Sequence, residues 1–158
     1  MASLTINDTL NNPFQVMMGK YAKVDRFRTS RDPSAKEIDS LIAKLESYEY
    51  VILSIHNTST KAESGYGVSD QINDLIFKLS QRVKLTTVVF GNAYTLTRVT
   101  NANHGKALIL AYEDTKWPQY FTAQAIFGSA NMTGKIPVSP GNALISGTGL
   151  QLKYEPIR

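Results

Sequence analysis

The side chains best suited to proton transfer are the two histidines, His56 and His104, and the adjacent carboxylates Glu113 and Asp114. His56 closes the apolar run Tyr50–Ile55, where an imidazole can orient a substrate or act as a base. A hydrogen-bonded packing histidine is the plainer role and the one favoured here. His104 lies in Thr100-Asn101-Ala102-Asn103-His104-Gly105, a turn-like stretch, and is expected at the surface. Glycosidic hydrolysis needs two facing carboxyl groups about 5–9.5 Å apart. Glu113 and Asp114 are neighbours, so on a strand they point to opposite sides. If a helix begins there, Asp114 is taken up as its cap. The pair is not by itself a catalytic couple, and one member at most reaches a sugar.

Other chemistries are excluded by composition and motif. The chain has no Cys, so thiol catalysis, Cys-ligated zinc, iron–sulfur clusters and disulfide scaffolds are out. There is no G-x-x-x-x-G-K-[ST] phosphate loop and no G-x-S-x-G elbow. Gly65-Tyr66-Gly67-Val68-Ser69-Asp70 opens like G-x-G-x-x-G but lacks the last glycine, and is read as a loop. A phosphoacceptor receiver needs paired carboxylates after the first strand and an Asp ending the third; only Asp8 and then His56 are offered. No catalytic residue, metal or cofactor is assigned.

These residues need elements to hold them. At 158 residues the chain suits one domain, residues 1–158, of the usual size of about 100–200 residues. Asn12-Pro13 is a helix start, and Phe14, Met17, Met18 and Tyr21 follow as one apolar stripe. Ser34-x-x-Glu37 is a capping box ahead of Ile38, Leu41, Ile42, Leu45 and Tyr48. Ser69 opens a third helix with Ile72, Leu75, Ile76 and Leu79 on its face. A fourth is expected from about Thr115 to Phe127, capped by Asp114 and stopped by Gly128. Its broad apolar face (Trp117, Tyr120, Phe121, Ala125, Ile126, Phe127) predicts the most buried helix, with Trp117 in the core.

Between the helices lie apolar runs at Leu4–Ile6, Val24–Phe27, Tyr50–Ile55, Leu85–Phe90 and Ala107–Tyr112. Near-continuous apolar strands alternating with helices imply a mainly parallel sheet covered on both faces. The expected fold is α/β: a three-layer, doubly wound, flavodoxin-like sheet of order 2-1-3-4-5. Ligands of such sheets bind beyond the carboxyl ends of the strands. That rim is Asn7-Asp8-Thr9, His56-Asn57-Thr58, Gly91-Asn92 and Tyr112-Glu113-Asp114. His56, Asn92, Tyr112, Glu113 and Asp114 are its candidate substrate contacts, although polar residues there also cap helices and close turns. From Ser129 the chain is dense in Gly and Pro and is read as an extended tail over the sheet or toward a neighbour.

The formal charge is +4. A basic cluster (Lys20, Lys23, Arg26, Arg28, Arg31, Lys36) is diluted by Asp25, Asp32 and Glu37 and reads as a solvated helix–strand corner. Nucleic acid is therefore not an expected partner. No apolar run approaches the roughly 18 residues of a membrane span, and the start has no signal-peptide pattern.

Five blocks occur in order: Val88-Val89-Phe90-Gly91-Asn92-Ala93-Tyr94-Thr95-Leu96, Ala111-Tyr112-Glu113-Asp114, Ala123-Gln124-Ala125-Ile126-Phe127-Gly128, Thr133-Gly134-Lys135-Ile136-Pro137-Val138-Ser139 and Gly147-Thr148-Gly149-Leu150. Together they resemble the C-terminal α/β domain of glycoside hydrolase family 3, and most closely its bacterial β-N-acetylglucosaminidase branch. The likeness is good over residues 84–150 and looser before. Ala93 stands where the family commonly shows Pro.

The resemblance implies an accessory domain. In that family the nucleophile, and in this branch a His–Asp acid/base pair, belong to a (β/α)8 barrel, which takes about 250 residues. The chain is thus expected to be a piece of a larger hydrolase, inactive alone, with that barrel as its partner and carbohydrate as a further possible ligand. Met1 standing almost on the first strand fits a boundary inside a longer polypeptide. The parent is expected to be periplasmic or secreted; the piece itself carries no compartment signal. Pro137 makes the Gly-Lys-Ile-Pro-Val-Ser block an expected edge or interface strand, docking against the barrel. Two other readings stay open: a nucleotide- or flavin-binding module, from topology alone, and a carbohydrate-binding module using Tyr66, Tyr94, Tyr112 or Trp117.

Overall fold

The computed structural model describes residues 1–141 and 144–154. Its elements run β1 (Ala2–Ile6), α1 (Pro13–Met18), β2 (Asp25–Thr29), α2 (Ala35–Leu45), β3 (Tyr50–Ile55), α3 (Asp70–Ser80), β4 (Lys84–Val89), β5 (Ala107–Leu110) and α4 (Lys116–Ile126). Short 3₁₀ turns occupy Ala62–Gly67, Ala93–Thr97 and Ala102–His104, and His104 is exposed on the last of them. The strands form one five-stranded sheet, all pairs parallel, in the order β2-β1-β3-β4-β5. The doubly wound α/β architecture read from the periodicity is the one that forms.

Local chemistry sets the helix starts. Asn12 caps α1 by accepting from the Gln15 N–H at 2.9 Å, with Pro13 in the first turn. Ser34 and Glu37 close a reciprocal capping box on α2. Ser69 caps α3 through the Ile72 N–H.

Strand alternation divides the core into two layers. Ala2, Leu4, Ile6, Val51, Leu53, Ile55, Leu85 and Val89 meet α2 and α3 through Ile38, Leu45, Ile72, Leu75 and Ile76. Each fully buried Leu or Ile contributes about 1.5–3 kcal/mol. On the other face Ile52, Val88 and Phe90 meet Phe14, Met18 and Ala123 of α1 and α4. That face is part polar, because Ser3, Thr5 and Ser54 are fully buried there.

Several expectations need correcting. Asp114 is not the cap of α4; Thr115 holds that position, with no side-chain hydrogen bond. Nor is α4 the most buried helix. It buries Gln119 and Ala123, while Trp117 is 63% and Phe121 57% exposed. Among the described residues α4 packs mainly on α1 and the sheet, and one side of its broad apolar face stays outside. Helix α1 ends at Met18, before Tyr21, which stacks instead on Phe127 at 5.2 Å. Strand β5 ends at Leu110, because Tyr112 adopts a φ of 53°.

The tail also departs from expectation. Thr133–Ser139 forms no strand: Pro137 lies in a bend, and the Ile136 N–H bonds the Thr148 carbonyl at 2.9 Å. The turn-forming glycines and the donorless proline leave too few ladder groups for a strand. Ile136 and Leu144 cover the α2/α3 side of the sheet near Leu108 and Leu110.

Candidate functional site

The carboxyl ends of β1, β3 and β5 converge on a polar network centred on His56. The imidazole is fully buried. Its Nδ1 lies 2.8 Å from Asp114 Oδ1; a carboxylate only accepts, so Nδ1 carries the hydrogen. Nε2 faces Ser54 Oγ at 3.0 Å and Asn12 Nδ2 at 3.3 Å. Phe90 stacks on the ring with centroids 4.6 Å apart, and Phe14 stands 6.4 Å away. Asp8 reaches the site from β1, with Oδ2 3.7 Å from Nδ1 and 3.0 Å from Asn12 Nδ2.

Asp114 is held from several sides. Besides His56 it accepts the Asn57 N–H at 2.6 Å and the Gln119 side-chain amide at 2.8 Å. Burial alone pushes the Asp114 carboxyl up, but the His56 hydrogen bond, with those from Asn57 and Gln119, holds it below its ordinary value. Gln119 in turn accepts the Phe14 N–H at 3.0 Å and so ties α4 to α1.

The buried hydroxyls complete the network. Asn12 Nδ2 reaches Thr5 Oγ1 at 3.1 Å, and Thr5 and Ser54 share a hydrogen bond of 3.1 Å. Asp114, His56 and Ser54 thus stand in the order of a nucleophilic triad. Ser54, however, is fully buried inside the sheet, so its hydroxyl meets no substrate. The line is a structural relay.

The crevice where the strand order reverses, between β1 and β3, is bridged by the chain's own side chains. Asn57 Nδ2 donates to the Asn7 carbonyl at 2.7 Å, and Asn7 Nδ2 donates to the His56 carbonyl at 3.2 Å. Both asparagines take positive φ, 61° at Asn7 and 48° at Asn57, which Asn tolerates well.

Of the five candidate contacts, the structure joins His56 to Asp114. Tyr112 and Glu113 project from the β5 loop, and both are exposed. The Glu113 N–H bonds the Ala111 carbonyl at 2.6 Å around Tyr112, a positive-φ γ-turn of the strained kind. Partial desolvation pushes the Tyr112 phenol up. Asn92 is half-buried and caps the Ala93–Thr97 turn through the Thr95 N–H.

Sequence reading assigned Asn12 to capping alone and did not single out Thr5, Ser54 or Gln119. The available signal was the alternation of Ser3 and Thr5 with apolar residues in β1, which marks a polar stripe on one sheet face; in β3 the lone Ser54 gives no such pattern.

Gly91 packs tightly at the end of β4. A Cβ there lands on the Thr58 hydroxyl, which is already donating to the Phe90 carbonyl at 2.9 Å, and lies 3.1 Å from Thr95 Oγ1. Gly91→Ala is therefore expected to cost about 1–3 kcal/mol of overpacking, read from urea unfolding. A second change, Thr58→Ala, should recover part of it by clearing the space.

The sequence matches no protein-family model and no curated protein. Among solved structures it is similar to a glycoside hydrolase family 3 β-N-acetylglucosaminidase from Paenibacillus sp. str. FPU-7, with a TM-score of 0.66 and 14% identity. That likeness covers 86% of this chain and 27% of that one, so the chain resembles one α/β portion of a larger enzyme.

Proposed function

We propose that this chain is the accessory α/β domain of a family-3-type glycoside hydrolase of the β-N-acetylglucosaminidase kind, a part of a longer polypeptide that packs on a catalytic barrel. The observation that carries this reading is the sealed state of its acid–base groups. His56 is fully buried, and Asp114 accepts from His56, Asn57 and Gln119 of its own chain. Glu113, exposed on the neighbouring loop, has no facing carboxyl partner assigned to it and remains at most a substrate contact, with Tyr112 and Asn92.

The exposed face of α4 supports a docking role. Trp117 and Phe121 lie on one helical stripe with Tyr120, and Lys116 Nζ stands 5.4 Å from the Trp117 ring and 5.5 Å from the Tyr120 ring. Aromatic residues of this kind are the usual anchors of protein interfaces. The same exposure favours a second reading, a carbohydrate-binding module that stacks sugars on Trp117, Tyr94 or Tyr112.

Incubation of the purified chain with a chromogenic β-N-acetylglucosaminide is expected to release no chromophore. Robust turnover that is lost in Glu113→Gln would overturn the accessory role. Calorimetry with chitooligosaccharides separates the two readings: a docking domain gives no binding heat, and saturable heat lost in Trp117→Ala favours the sugar-binding module.

A further inference from the structure

A separate groove lies on the far side of the molecule from the α4 stripe, between edge strand β2 and helix α2. It is open, about 600 Å³ in volume, and lined by Arg28, Thr29, Lys36, Ser40, Leu41 and Lys44 among others. Its positive charge comes mainly from Lys36 and Lys44 of α2, with the Glu37 carboxylate of the same lining against them. Among the described residues, no salt bridge engages Arg28, Lys36 or Lys44. Of the acids that dilute this cluster in the sequence, Glu37 lines the groove itself and keeps its charge, while each of the three is held by a partner of its own. Asp25 accepts from the Tyr48 hydroxyl at 2.8 Å, Asp32 pairs with Arg31, and Glu37 is closed into the capping box with Ser34.

Among the described residues strand β2 pairs with β1 alone, and no strand pairs with its outer edge. The Asp25 N–H reaches the Met1 carbonyl, and the Thr29 carbonyl accepts from Asn7. Residues 25 and 29 therefore face inward. The alternation of a parallel ladder turns the N–H and C=O groups of Arg26 and Arg28 outward.

We propose that this groove binds an extended acidic peptide, which adds to β2 as a sixth strand and places its carboxylates against α2. The spacing fits. Lys36, Ser40 and Lys44 recur at intervals of about 6 Å along the helix. Alternate residues of an extended peptide recur about every 6.6–6.8 Å. Two acids four residues apart thus meet Lys36 and Lys44, with a small polar residue between them opposite Ser40. Main-chain bonds supply affinity and the charges supply selection, as in other strand additions. The cations on β2 also repel a second copy of the same edge. The groove itself offers no aromatic platform of the kind that holds single-stranded nucleic acid.

The test uses a fluorescein-labelled Thr-Glu-Val-Thr-Val-Glu-Thr peptide with blocked ends, titrated with the whole chain at low salt. Saturable binding is expected, with the amide resonances of Arg26 and Arg28 shifting on titration. The Lys36→Glu/Lys44→Glu variant, exposed and distant from the core, should bind at least tenfold more weakly. Lys106→Ala/Lys135→Ala should bind as the parent chain does. N-methylation of alternate peptide amides should also weaken binding at least tenfold. An N-methylated peptide that binds equally well would overturn strand addition. Tripolyphosphate that binds as tightly, and is lost in the same variant, would assign the groove to general anions instead. No binding at low salt sinks the proposal outright.

Discussion

Asp114→Ala is expected to destabilise the fold by about 2–3 kcal/mol, since it strands the buried donors of His56 and Gln119 at once. His56 Nδ1, the Asn57 N–H and the Gln119 amide all lose their acceptor. For a domain of this size the loss lowers Tm by about 2–4 °C per kcal/mol. Asp114→Asn keeps one accepting oxygen and should cost less. An alanine variant within about 0.5 kcal/mol of the parent would show that the network contributes little.

The same residue sets an acid limit. The folded Asp114 carboxyl titrates below its ordinary value of 3.8. Its contribution is therefore complete above the unfolded value, and is lost as pH falls through the lower folded one. Denaturant midpoints measured from pH 6 downward should drop below about pH 4, and Asp114→Asn should flatten that drop. An unchanged acid slope in the variant would place the acid sensitivity at other carboxylates.

Phe90→Ala is the second large effect, expected at about 3–5 kcal/mol. Phe90 is fully buried, stacks on His56 and makes an edge contact with Phe14 at 5.4 Å. Its loss opens a cavity where β4 meets α1 and removes the apolar lid over the imidazole. Phe90→Leu keeps most of the volume and should cost less than about 1.5 kcal/mol. Equal losses in the two variants would point to the aromatic face on His56, rather than volume, as the stabilising feature.

The two halves of this molecule differ in how far the sequence reveals them. Helix starts depend on contacts within four residues. Asn12-Pro13, the Ser34/Glu37 box and Ser69 were all legible, and each caps the helix it announces. Strand order followed from apolar runs alternating with helices, because a parallel sheet covered on both faces leaves few topologies. The rim loops could be located for the same reason, and His56 could be read as a packing histidine.

What those loops do with one another could not be read locally. Asp114 was read as a helix cap because a carboxylate before an apolar run usually is one. In the fold, His56 and the Asn57 amide lie beside it, from a strand more than fifty residues earlier, and they outcompete the nearby helix amides. Burial of α4 was likewise overestimated. Periodicity shows which residues could be covered, while the number of elements lying against the helix decides which are, and Trp117 was left outside. The basic corner reads as diluted along the chain, yet in space its acids hydrogen-bond Tyr48 and Ser34 or pair with Arg31, and among the described residues Lys36 and Lys44 stand in no ion pair. Capping and alternation are short-range and survive in a single sequence; the pairing of charges and hydrogen bonds depends on which distant groups the fold brings within reach.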